Sequence, residues 1–328
     1  MKTYLSILVL SISISIFAQE KETSVLTPSR VKEPITETGA TISVIDEEEI
    51  LLRKPLFLQD LLRQIDGIDV SHSAGPGGNT SVFIRGGASA HTLVLLDGIE
   101  LNSTNVGAFD LQNLTIDNVE RIEIARGPFS SLYGSESSGG VINIISRRGS
   151  GAPRISATTE YGSFDTWRTK FGVSGASKDY PLSFDYSLAI SHLVTQGISQ
   201  AARFSETDAY KNLTASTLLG FGFWENARVE VVGRVATSHG EIDSFGVSGP
   251  IDSHDAKIGF QDRVLGVTFT KPAGIWTPSL RIALADSVVR SVADPNDIFT
   301  PGAVSKSHSQ NLTLRHQSSL EIINRQTA

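Results

Sequence analysis

RISATTEYGSFDTWRTKFGVSG, residues 154–175, alternates apolar and polar side chains on either side of a short Gly-Ser-Phe-Asp link. Ile155, Ala157, Thr159 and Tyr161 alternate with Arg154, Ser156, Thr158 and Glu160, and Trp167, Phe171 and Val173 alternate with Arg168, Lys170 and Ser174. Successive side chains of a strand point to opposite faces, so this two-residue period gives each segment one apolar and one polar face. The pattern continues towards the C-terminus. Leu182, Phe184, Tyr186, Leu188 and Ile190 alternate with Ser183, Asp185, Ser187 and Ser191, and further segments fall near 209–221, 227–238, 262–270, 279–290 and 308–322. Each is about ten residues or longer, the length a tilted strand needs to cross a bilayer. The links Gly162 to Asp165 and Phe223 to Asn226 read as short turns on one side, and the polar links Thr195 to Asp208 and Gly240 to Gln261 as long loops on the other. Residues 149–328 are therefore expected to form antiparallel transmembrane β-barrel strands. A soluble β-sandwich also alternates, and stays as the alternative on this half alone.

Upstream of Arg147 the sequence has a different character. From about Ile35 to Ser146 it reads as mixed α and β. Leu56 to Ile65 places Leu58, Leu61, Leu62 and Ile65 on one helical face, and short strands are expected at Thr41 to Ile45, Ser81 to Arg85, Thr92 to Leu96, Val119 to Ile124 and Val141 to Ile145. Glycines such as Gly67, Gly86, Gly98, Gly127 and Gly134 punctuate the joins. The expectation is an α+β domain over residues 31–148, followed by the barrel strands.

The first 18 residues carry Lys2, an apolar core from Leu5 to Phe17 interrupted only by Ser, and Ala18 before polar Gln19 and Glu20. That is the pattern of a secretory signal, with removal expected after Ala18. An exported chain with no Cys cannot use disulfides or thiolate chemistry, so packing and backbone pairing must stabilise it. No later apolar run is long enough for a helical span, which leaves strands as the means of crossing a membrane. The net charge of −7, with no basic run, argues against a nucleic-acid partner. The seven His are scattered, and no His-Glu-x-x-His or Gly-x-Ser-x-Gly occurs, so no enzyme is expected.

Several motifs in the α+β region occur in a specific order: LLRQIDGIDV at 61–70, FIRG at 83–86, LVLLDG at 93–98 and NVERIEIARGPFSSLYGSESSGGVINIISRRG at 118–149. This series resembles the plug domain of TonB-dependent outer-membrane receptors. The resemblance implies a plug inside a barrel of a Gram-negative-type outer membrane, surrounded by lipid, and TonB-dependent uptake of a scarce chelated ligand such as cobalamin or a ferric siderophore. It also implies a Ton box in the tail at 19–30, where Glu22, Thr23, Ser24, Val25, Leu26, Thr27 and Pro28 would bind TonB of the inner-membrane energising complex. Val25, Leu26 and Thr27 are strand formers in a polar, unpaired tail, suited to adding an edge strand to a partner.

If Ser81 to Arg85 and Thr92 to Leu96 form a hairpin, the segments Ala74 to Thr80 and Asn102 to Phe109 emerge together at the opposite end, which the resemblance turns towards extracellular ligand. Gly77, Gly78, Asn79, Ser103, Thr104 and Asn105 are then the candidate ligand contacts. Plug and wall are expected to meet through water and polar groups, Arg85, Arg121, Glu123 and Arg126 on the plug and Arg168, Lys170 and Asp185 on the wall. The layout is most similar to the cobalamin receptor, which implies calcium at Asp208, Asp243, Asp252 and Asp255; solvated loop carboxylates are the other reading. A passive barrel or adhesin that retains a plug is the alternative function. Eight strand candidates fall well short of the ~22 of plugged transporters, and an eight-stranded barrel has no room for a plug. A fragment, a frameshifted gene or one part of a split barrel is therefore expected.

Overall fold

A computed structural model describes residues 24–27, 29–73, 75–177, 182–199, 207–224, 226–246, 249–251, 253, 255–297 and 299–320. The expected signal at 1–18 lies outside these residues. Two short strands come first, β1 (Ser24–Val25) and β2 (Glu33–Pro34), paired antiparallel. The plug then runs through β3 (Thr41–Ile45), α1 (Glu47–Arg53), α2 (Leu58–Leu62), β4 (Ile68–His72), β5 (Thr80–Ile84), β6 (Thr92–Leu96), β7 (Ile99–Glu100), β8 (Val119–Arg126) and β9 (Gly140–Ser146). The wall comprises β10 (Arg154–Gly162), β11 (Thr166–Ser177), β12 (Ser183–Thr195), β13 (Tyr210–Phe223) and β14 (Ala227–Glu241), followed by a loop hairpin, β15 (Ser244–Gly246) and β16 (Gly249–Ile251), and then by β17 (Lys257–Thr270), β18 (Trp276–Val292) and β19 (Val304–Leu320).

The helices have local causes. Asp46 caps α1 by accepting the Glu49 N–H, three glutamates fill its first turn and Arg53 its last, which suits the helix dipole. Asp60 reaches back to accept the N–H groups of Leu56 and Phe57, fixing the start of α2, whose Leu58, Leu61 and Leu62 are buried.

The plug sheet has the order β3-β8-β9-β6-β7, with β6 and β9 parallel. The expected hairpin of residues 81–85 with 92–96 does not form. Instead, β5 pairs antiparallel with β4 in a separate two-stranded sheet. The pattern of burial gives the reason. Residues 80–84 alternate buried and half-buried, whereas Thr92–Leu96 and Gly140–Ser146 are buried throughout, as parallel strands covered on both faces must be.

All eight wall strands lie in one antiparallel sheet in sequence order, β10-β11-β12-β13-β14-β17-β18-β19. The sheet is open among the described residues, with β10 and β19 at its edges. The expected division of turns needs one correction: the turn after Gly162 sits on the long-loop edge. Alternate connections of an up-and-down sheet share an edge, and Gln196 N–H donates to the Phe164 carbonyl at 2.9 Å, tying this turn to the loop after β12. The short-turn edge carries the links after β11, β13 and β17.

The wall's outer face is a band of exposed apolar groups, among them Phe171, Ile190, Leu265, Val267, Ile282 and Leu314. It ends in aromatics at both edges, Tyr161 against Trp167 at the long-loop edge (4.9 Å between rings) and Phe184 against Phe221 at the short-turn edge (4.8 Å). From Lys211 to Phe221 the chain advances about 33 Å along β13, and a tilt near 40° reduces this to about 25 Å of membrane thickness. Such a band suits a hydrocarbon environment. No helix among the described residues is long and apolar enough to cross a membrane.

The inner face holds the plug, and an apolar seam joins the two beside the expected polar contacts. Leu218, Val232, Val264 and Ala283 of the wall join the plug's own apolar cluster around Ile99, Leu101, Phe109 and Leu114. Gly266 makes this possible, because a Cβ there would lie 2.4 Å from Ile99 Cδ1. Polar contacts flank this seam. Buried Arg168 donates to the Pro55 carbonyl at 2.9 Å and to Asp117 at 3.2 Å, and Lys170 stands 3.7 Å from the same carboxylate. Asp185 turns instead to Arg228 on the wall itself.

Burial alone would raise the pKa of Asp117, but Arg168, the Ser191 hydroxyl and Lys170 together hold it below the usual carboxylate value. Its stabilising contribution is therefore present at neutral pH and lost as pH falls through the carboxylate range. Arg168→Met leaves that carboxylate short of its main partner, and a cost of about 3 kcal/mol is expected. Pairing the change with Asp117→Leu should recover part of it in heat denaturation of the detergent-solubilised chain.

Candidate functional site

Two features occupy opposite ends of the plug. At the short-turn end the N-terminal segment is clasped onto the plug sheet. Its strand-forming residues are not an unpaired tail, because β1 bonds β2 and the next two backbone N–H groups go to one side chain. Leu26 and Thr27 N–H donate to Glu123 Oε2 at 2.9 and 2.8 Å, and the Thr27 hydroxyl donates to the same oxygen at 2.6 Å. Arg121 holds the other oxygen at 2.8 Å. Tyr133 donates its hydroxyl to the Thr27 carbonyl, Asn143 donates to the Thr27 hydroxyl, and the Arg30 guanidinium lies 3.9 Å above the Tyr133 ring. Val25, Thr27 and Glu123 are fully buried. Gln317 at the short-turn end of β19 donates to the Arg30 carbonyl, so the wall closes over the segment. Glu22, Thr23 and Pro28 lie outside the described residues, and Ser24, Val25, Leu26 and Thr27 are in the clasp.

At the long-loop end the loops at 75–79 and 103–109 do lie together, although the hairpin expected to place them is absent. Asp110 joins them. Its carboxylate accepts from Asn79 Nδ2 (2.9 Å), Thr80 N–H (2.9 Å), Gln112 N–H (3.1 Å) and Gln112 Nε2 (2.8 Å). The expected ligand contacts are largely committed to the protein. Thr104 N–H donates to the Ser309 hydroxyl, Asn105 donates to the Ser307 hydroxyl and the His308 carbonyl, and the Ser103 hydroxyl accepts the Asn105 N–H.

Gly77 has φ +87°, and a Cβ there would lie 2.5 Å from the Tyr210 ring; one on Gly78 would lie 1.7 Å from the Ser73 carbonyl oxygen. The room these glycines provide is thus filled by the chain itself. Side chains of Asn79, Thr104 and Asn105 remain exposed towards solvent. Beneath them, Asn113 accepts from the hydroxyls of Tyr210 and Ser238, both at 2.7 Å, pinning the apical plug to β13 and β14.

Burial pushes the Asp110 carboxyl up to about 6, against the pull of the Thr80 and Gln112 N–H groups. A carboxyl raised in this way binds its proton more tightly in the folded than in the unfolded chain. Its contribution to stability is complete below about pH 4 and is lost as pH rises through 6. The expected outcome is a fall in melting temperature between pH 4 and 7 that Asp110→Asn reduces.

The four aspartates expected to hold calcium do not assemble a shell among the described residues. Asp208 is buried, Asp243 accepts the Ser253 N–H, Asp255 is exposed and Asp252 lies outside the described residues. No group of three His, Asp or Glu side chains suited to a metal occurs among the described residues, whereas calcium takes six to eight oxygens.

Sequence reasoning expected Glu123 at the contact of plug and wall, whereas it holds the N-terminal segment, and it missed Asp110, Asn113 and Asp117 as organising residues. A buried acid in an apolar strand was the available signal for Glu123; Asn113 and Asp117 act through partners more than 25 residues away, as Asp110 does towards Asn79 and Thr80.

The comparisons agree with this geometry. The family model for the TonB-dependent receptor plug domain matches residues 34–141. Among solved structures, the siderophore receptor PirA from Acinetobacter baumannii superposes with a TM-score of 0.68 at 20% identity, covering 85% of this chain and 45% of that one. PiuA, a siderophore receptor of the same organism, gives 0.67 at 18% identity over 89% and 44%. A ferric enterobactin receptor from Pseudomonas aeruginosa gives 0.66 at 18% identity over 88% and 48%. The chain thus spans about half the length of these receptors, and at such identities the likeness establishes the fold. Residues 34–141 thus form a TonB-dependent receptor plug domain, and the wall sheet that follows has the fold of the matching part of such receptors.

Proposed function

We propose that this chain serves TonB-dependent uptake of a ferric chelate across the outer membrane of a Gram-negative-type bacterium. The observation that carries the reading is polarity. A strand-forming segment is held by a releasable clasp at the short-turn, periplasmic end, and a solvent-facing plug surface lies among the long loops at the other. Work applied to residues 22–28 would be transmitted through Glu123 into the plug sheet, and no chemistry on the ligand is needed. The titles of the superposed structures name siderophore receptors, which favours a ferric siderophore over cobalamin.

The test is uptake of radiolabelled ferric siderophore by cells expressing the protein. Accumulation is expected only in cells that contain TonB, with competition by excess unlabelled ferric siderophore and none by cobalamin. Equal accumulation with and without TonB would instead support a passive barrel that retains a plug.

A further inference from the structure

At the short-turn end, where the clasp meets the wall, guanidinium groups from separate parts of the chain face one small cavity. Arg30 follows the clasped residues, Arg281 lies on β18 and Arg315 on β19. Arg281 and Arg315 are direct cross-strand partners, and like charges so placed repel. With Tyr133, Ser279 and Gln317 they line a cavity of about 70 Å³. A single water needs only about 10–15 Å³, so the space takes a group of several heavy atoms.

These charges are not neutralised from within. No acidic side chain forms an ion pair with Arg30, Arg281 or Arg315 among the described residues, because the nearby acids are engaged elsewhere. Asp97 accepts the Ser146 N–H and hydroxyl, and Glu123 accepts from Arg121 and from the clasped segment. The two wall guanidiniums are aimed by the chain itself. Arg281 donates to the Asp97 carbonyl at 2.8 Å and to the Thr268 hydroxyl at 2.9 Å, and Arg315 donates to the Gly98 carbonyl at 3.3 Å. Further N–H donors remain on each, and the Arg30 Nε is buried without a hydrogen-bond partner.

We propose that this cavity seats a small oxyanion of phosphate size, held between the clasped segment and the wall. An oxyanion offers acceptors to planar guanidinium forks from several sides, and its charge offsets the repulsion between Arg281 and Arg315. The position on the inner face of the wall selects a free ion over a lipid headgroup. Arg30 reaches the ion only while the segment is docked, so binding stabilises the clasp. The inference stands on this geometry and holds whether or not the chain takes up a ferric chelate.

Hydrogen exchange of the Leu26 and Thr27 amides in the full chain, in inorganic phosphate and in chloride of equal ionic strength, tests the proposal. For a dissociation constant of about 1 mM, phosphate at about 10 mM should slow exchange roughly tenfold, and chloride should not. Arg315→Gln should abolish the slowing. Ser279→Leu, which keeps every charge but fills the cavity, should abolish it too. Arg154→Gln, an equal charge change at the exposed start of β10, should retain it. Equal exchange of the unaltered chain in phosphate and chloride would overturn the proposal, and that comparison needs no variant to fold. Slowing that survives Arg315→Gln would also overturn it, as the mark of an adventitious ion only.

Discussion

Glu123→Ala is expected to release residues 24–34 from the plug while the plug sheet stays folded. The substitution removes the acceptor of three donors, Leu26 N–H, Thr27 N–H and the Thr27 hydroxyl, and leaves the Arg121 guanidinium without its buried partner. Hydrogen bonds to charged groups contribute about 1.5–3 kcal/mol each, while Arg121, which is part-exposed, keeps Glu120 as its partner. The two-residue pairing of β1 with β2 is too short to hold the segment alone. Detachment is therefore cheaper than keeping the unsatisfied groups buried. Hydrogen exchange of the Leu26 and Thr27 amides should accelerate at least a hundredfold, with little change in β6 and β9. Glu123→Gln keeps one acceptor oxygen and should give an intermediate result. Unchanged exchange in the alanine variant would mean that Tyr133, Asn143 and Arg30 hold the segment without the carboxylate.

How far the sequence foretold these features depended on the range of the interactions. Period and length located all eight wall strands, because each strand's two faces meet different surroundings whatever its neighbours are. Residues 41–45 and 92–96 were placed to the residue. Pairing was less legible. The Gly-rich link between Ile84 and Thr92 suggested a hairpin, yet the uninterrupted apolar run of β6 belongs beside β9, some 48 residues on. Helix α1 escaped notice, although Asp46 followed by three glutamates is a helix-start signal. The side assigned to the turn after Gly162 followed its length, when counting strands decides it.

The site divided in the same way. Motif order gave the plug, and the extreme N-terminal position gave the candidate partner segment. The apical loops came out together although the hairpin argument for them failed, since Asp110, Asn113 and the wall serines hold them by contacts that no local pattern encodes. The lumenal alternation predicted a wet plug surface. Gly266 and its small or aliphatic neighbours form an apolar seam there, a feature that becomes visible only once the plug is seated.

Deleting residues 22–28 is expected to abolish uptake and to leave ligand binding at the cell surface within about twofold. The segment and the apical surface lie at opposite ends of the plug, and nothing at Asn79, Thr104 or Asn105 rests on residues 24–27. Glu123→Ala separates holding from pulling at the same place. A clasp worth about 3 kcal/mol hides the segment from a strand-adding partner by a factor of roughly 100, because only the released fraction can bind. Purified TonB periplasmic domain should therefore bind the Glu123→Ala protein up to about a hundredfold more tightly than the parent, and the deletion variant not at all. Uptake by the clasp variant should still fall, since force applied to a detached segment no longer reaches β8. If TonB bound both variants equally, its contact would have to lie outside residues 22–28, and the clasp would be a structural fastening of the N-terminal segment.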